Sequence, residues 1–134
     1  MPPLSTTVIR LALIHLGLGV AAGSWLLTAR GFPSLPTWSW LQPIHLELAL
    51  LGWTLQLAMG VAYWILPKFP TQPERGHRAP VVAAFGLLNL GILLAGAGAV
   101  VAADGLLLAG RLAELASVAL FATHAVPRIK AFGA

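Results

Sequence analysis

The chain has 134 residues, with eight basic and four acidic side chains, 58% apolar residues and a mean hydropathy of +0.86. A soluble domain of this length could not keep so apolar a surface in water, so the composition excludes one and calls for lipid as the solvent. Absence of cysteine excludes disulfides and thiolate metal sites. The net charge of +4 does not point to nucleic acid, because the basic residues fall between apolar stretches and at the chain ends, where they report topology.

A chain this short builds one domain, so residues 1–134 are read as a single transmembrane unit, all-α, an integral membrane four-helix bundle. Spanning the hydrocarbon takes roughly 20 helical residues, and four stretches qualify: about 7–29, 43–66, 79–102 and 105–126. The first is too long for a cleavable signal peptide and lacks a small-residue cleavage site. It closes at Arg30-Gly31-Phe32-Pro33. Trp38 and Trp40 follow, amphipathic rings suited to a short segment in the headgroup layer. Pro67, Pro70 and Pro73 end the second stretch, Asp104-Gly105 is expected to turn the third into the fourth, and Pro127 stops the last. Arg10, Lys68, Arg75, Arg78, Arg128 and Lys130 then share one side, against Arg30 and Arg111 on the other, which predicts both termini in the cytoplasm. Gly19 and Gly23, and Gly86, Gly91, Gly96 and Gly98 in the third stretch, mark close helix packing, within the chain or between protomers.

Ionisable residues inside a membrane are costly and call for a functional explanation. They are His15, His45, Glu47, Arg111, Glu114 and His124. By helical rise, His45 and Glu47 lie within roughly 3–6 Å of the outer end of the second stretch, and Arg111 and Glu114 about 9–14 Å from the outer end of the fourth. His15 and His124 fall nearer the opposite face. At about 100° per residue, His45, Gly52, Gln56 and Tyr63 share one face, while Glu47 points about 200° from His45. Arg111 and Glu114, three apart, are placed to pair, and Ser117 and His124 share another stripe. For His15 and His124 the plainer reading is a hydrogen bond to a neighbouring helix, as an ion pair is for Arg111 and Glu114. Gln56 and Tyr63 read as interhelical contacts.

Residues 45–67, HLELALLGWTLQLAMGVAYWILP, carry His45 near the outer end, then Gly52-Trp53, Gly60, Tyr63-Trp64 and Pro67. This stretch resembles the second helix of the catalytic subunit of the heme-copper oxidase superfamily, and most of all its nitric oxide reductase branch. The resemblance implies that His45 is an axial ligand of a low-spin heme, heme b, with copper or another transition metal as the alternative. The direct match assigns no other residue; a heme would also need space, an aromatic face and a cation for its propionates, for which Gly52, Trp53 or Trp64 with Tyr63, and Arg111 at a similar outer depth are the candidates. His15, His124 and Glu47 are the remaining candidate metal ligands. Family members carry about twelve helices in three arcs of four, whereas this chain has four. It is therefore expected not to be catalytic on its own, and to form a homo-oligomer, a trimer of single arcs, that brings three copies of His45 together. The implied setting is a prokaryotic inner membrane, multi-pass, with lipid and a larger oxidase or nitric oxide reductase complex as partners. The function expected is that of a small heme- or metal-binding subunit of respiratory or denitrification electron transfer. The alternatives are a cofactor-free accessory subunit that stabilises a larger complex, and a proton or small-solute pathway.

Overall fold

The computed structural model describes residues 1–69, 73 and 75–129; Pro70 and Lys130, used above for topology, lie outside them. The described residues are all-helical, with no strand, and four helices are long and apolar enough to cross a membrane: Pro3–Gly31, Leu41–Ile65, Arg78–Val101 and Asp104–Arg128. The first begins on Pro3, whose missing N–H costs nothing in a first turn. It ends where expected, with the Phe32 amide on the Thr28 carbonyl. Pro43 and Pro80 sit in the opening turns of the second and third helices, where their lack of a donor is likewise harmless.

The second helix is not uniform. Its α-helical turns at Leu41–Leu46 and Gln56–Ile65 flank a π-helical segment, Glu47–Leu55. A π turn closes on the fifth residue rather than the fourth, so each residue turns the helix by less than an α-helical step. The Thr54 hydroxyl follows that spacing and donates to the Ala49 carbonyl at 2.9 Å.

The turn between the third and fourth helices differs from expectation. Ala102, not Gly105, takes the left-handed conformation (φ 52°), the Ala103 amide caps the Gly98 carbonyl, and Asp104 is already the first residue of the fourth helix. An acidic residue there faces the positive end of the helix dipole.

Packing follows chain order. The first helix lies along the second, the second meets the third, and the third pairs closely with the fourth, while the first and fourth share no sustained contact. The result is an open crescent. Only 17% of the most apolar window of the first helix is buried within the chain and 22% of the fourth, against 44% of the third. Small residues set the close approaches. A Cβ on Gly91 would meet the Gly110 carbonyl at 2.9 Å and one on Gly98 the Leu107 amide at 2.7 Å, so these glycines serve packing within the chain. A Cβ on Gly86 would meet no neighbouring helix within 4 Å. The apolar core, with Val8, Met59, Tyr63, Phe85, Leu88 and Phe121, fills the half of the bundle nearer Pro67.

Left-handed backbone strains alanine but not glycine. Ala102→Gly is therefore expected to stabilise the protein by about 0.5 to 1 kcal/mol, after allowance for the freer unfolded chain. A raised thermal midpoint in detergent checks this; an unchanged or lowered one would show the turn to be unstrained.

Candidate functional site

Two histidines tie the first helix to the second in reciprocal fashion. Nδ1 of His45, on the second helix, lies 2.8 Å from the Gly19 carbonyl of the first, and Nδ1 of His15, on the first, lies 3.1 Å from the Gly52 carbonyl of the second. A carbonyl can only accept, so both rings donate from Nδ1, and in the neutral ring Nε2 keeps its lone pair. Glycine is needed under each ring: a Cβ on Gly23 would stand 2.6 Å from His45 Cε1, and one on Gly52 2.7 Å from His15 Cγ.

His45 borders an open cavity of about 250 Å³ walled by Leu26, Leu27 and Leu46, with Arg30 and Gln42 as its other polar groups. Beside it a second hollow shares Arg30 and Gln42 and reaches Trp25 and Trp38. Trp38 stacks between Trp25 (5.0 Å) and Trp40 (5.6 Å), so the interfacial tryptophans join the first helix to the connecting segment. Sequence reasoning missed Arg30 as a site residue. A signal existed, since Gly23 and Arg30 are seven apart and fall on one helix face.

Glu47 points the other way, as its angle from His45 predicted. Arg111 Nη1 lies 2.8 Å from Glu47 Oε2 and 2.9 Å from Glu114 Oε2, so one guanidinium on the fourth helix holds carboxyl groups from the second and the fourth. Both glutamates are buried, with 5% and 6% exposure, while the arginine side chain is 47% exposed. The Arg111–Glu114 pair was legible at three-residue spacing; its extension to Glu47 was not. Arg111 is thus engaged with the two carboxyl groups and lines neither cavity that borders Arg30.

The polar stripe drawn at 100° per residue meets different neighbours along its length, and the π segment Glu47–Leu55 shifts His45 in phase from Gln56 and Tyr63. His45 faces the first helix. Gln56, fully buried, donates to the Val8 carbonyl and accepts from Asn89 of the third helix at 2.9 Å. Tyr63 faces His124 of the fourth, ring centroids 5.8 Å apart. The space over Gly52 is filled by His15, and Trp53 is half-buried. Ser117 donates to the Ala84 carbonyl at 2.6 Å. Among the described residues no three His, Asp or Glu side chains gather to hold a metal ion, so His45, His15, His124 and Glu47 do not form one ligand set.

Removing Arg111 would leave two buried carboxyl groups facing one another. Arg111→Leu is expected to destabilise by about 2 to 3 kcal/mol, below the usual range for a fully buried pair because the arginine is half exposed. Adding Glu47→Gln should recover part of that loss, and strictly additive denaturation data would show the three groups to be uncoupled. Comparison with known proteins gives no matching family model, no matching curated protein and no matching solved structure.

Proposed function

We propose that the chain is a small heme-binding membrane subunit of respiratory or denitrification electron transfer, with His45 as the axial ligand. One observation carries this reading. Donation from His45 Nδ1 to the Gly19 carbonyl fixes the ring and leaves Nε2 for iron, the arrangement that metal-binding histidines use. The surroundings suit a heme rather than a bare ion. A macrocycle brings its own equatorial nitrogens and needs from the protein one imidazole, an apolar wall and cations for its carboxylates. Leu26, Leu27 and Leu46 supply the wall, and Arg30 replaces Arg111 as the propionate partner, since it borders the same cavity. A lone copper or other transition ion would need further ligands from outside the chain, because no group of three candidate ligands gathers among the described residues.

Bound iron would supply reversible one-electron redox change. The residues of the chain hold the ring at fixed orientation, neutralise carboxylates through Arg30 and exclude water with leucine. At about 250 Å³ the cavity falls short of the usual volume for a ligand of that size, so one chain offers only one side of the slot. The sparsely buried first and fourth helices favour the other side coming from a further copy, in keeping with a trimer of crescents. Both termini would then face the cytoplasm of a prokaryotic cell, with a larger oxidase or nitric oxide reductase as the electron partner.

The reciprocal histidine bonds favour a second reading, a cofactor-free accessory subunit in which both rings act only as helix ties. Absorption spectra of protein purified from its native host, oxidised and reduced, separate the two. A Soret band is expected that is lost in His45→Ala and kept in His15→Ala. Gly23→Ala, which must displace the His45 ring, should weaken heme binding by about 10- to 100-fold. A colourless wild-type protein would overturn the heme reading.

A further inference from the structure

About 30 Å from His45 along the second helix, the Pro67 end of the bundle holds a second group of polar side chains, independent of the heme reading. Arg128 is 1% exposed. Its Nε donates to the Pro67 carbonyl at 3.0 Å and its Nη2 to the carbonyls of Tyr63 and Leu66 at 3.1 and 2.8 Å. Its remaining nitrogen, Nη1, is buried without a partner, and so are Arg75 Nε and His124 Nε2. A buried donor left unmatched costs about 1 to 3 kcal/mol, more when charged, and two guanidinium donors in one place call for an acceptor.

The three side chains are neighbours. Arg128 lies over the Tyr63 ring, 5.5 Å from its centroid, and His124 packs on the same ring. Gly76, in a tight turn with φ +72°, rests against the His124 ring and so brings the adjacent Arg75 to it. Arg75, His124 and Arg128 lie close enough to interact electrostatically. No carboxyl group of the described residues is bonded to them: Glu47 and Glu114 serve Arg111, Asp104 opens the fourth helix, and Glu74 lies outside the described residues. Of the three basic side chains, His124 borders a cavity of about 250 Å³, whose wall also includes Gly76 and Pro127, the chain neighbours of Arg75 and Arg128; it has room for several waters at about 30 Å³ each.

We propose that Arg75, His124 and Arg128 form an anion site for a phosphate group, carried by an anionic phospholipid or free in solution. Arg128 Nη1 and Arg75 Nε are guanidinium donors without acceptors, with the His124 ring beside them, and such donors match phosphate oxygens. Basic recesses between helices at the membrane surface recognise lipid headgroups in this way.

The test uses the full chain in detergent, with its thermal midpoint followed against phosphatidylglycerol, phosphatidylcholine and inorganic phosphate. Arg128 anchors the carbonyls of Tyr63, Leu66 and Pro67 at and just past the end of the second helix, so its removal would confound folding; Arg75→Gln and His124→Ala avoid that. Phosphatidylglycerol is expected to raise the midpoint well above phosphatidylcholine, with the apparent affinity falling at least about tenfold in either variant. Arg10→Gln, an equal loss of charge elsewhere, should respond as the wild type does. A matching response to inorganic phosphate would assign a soluble anion, and a response to the lipid alone a headgroup; both uphold the site. No anion response, or one that Arg75→Gln and Arg10→Gln change equally, would overturn it.

Discussion

In hydrocarbon, an apolar side chain gains little by leaving lipid for protein, so helices hold together through close backbone approach and through polar groups that have no better partner. The second helix concentrates those groups. It exchanges histidine-to-carbonyl bonds with the first helix, reaches the first and third through Gln56, meets the fourth through Glu47 and Arg111, and surrenders its last carbonyls to Arg128. Every other helix is positioned by something the second one offers. That one strand of sequence carries both the architecture and the candidate chemistry.

The π-helical segment lets the two ends of one helix serve different neighbours. A regular α-helix would align His45 with Gln56 and Tyr63 on one face. The changed phase sets His45 apart, against the first helix, while Gln56 and Tyr63 stay in one α-helical run and meet the first and third helices and the fourth at their different depths. Gly52 falls inside this segment and gives its carbonyl to His15. Wide turns of this kind recur at functional positions in helices, and here one separates the His45 end from the packed core near Pro67.

Much of the architecture was legible because length and hydropathy decide it: four spans, their proline and glycine boundaries and the Arg111–Glu114 pair follow from local rules. The misreadings share a cause. Ala102 takes the left-handed turn although Gly105 is close by, because the position is fixed by where the third helix ends rather than by residue preference. Arg128, counted among the loop charges, is buried instead, because the bare carbonyls it satisfies belong to residues more than sixty positions earlier. Arg30 could not be joined to His45 by spacing along one helix, since their meeting depends on how two helices align. Glu47 found Arg111 across the bundle for the same reason. Identity and periodicity reveal which side chains are out of place in lipid, whereas partners are set by tertiary alignment.

The reach of Arg128 back to Tyr63 has a consequence for biosynthesis. Sixty-five positions separate donor and acceptor, and at about 5–20 residues per second the ribosome takes roughly 3 to 13 s to cover them. During that interval the nascent second span ends in open carbonyls that water or headgroups must satisfy. Until Arg128 arrives, the third and fourth spans are tied to the second through Asn89 with Gln56 and Arg111 with Glu47, and the Pro67 end closes last.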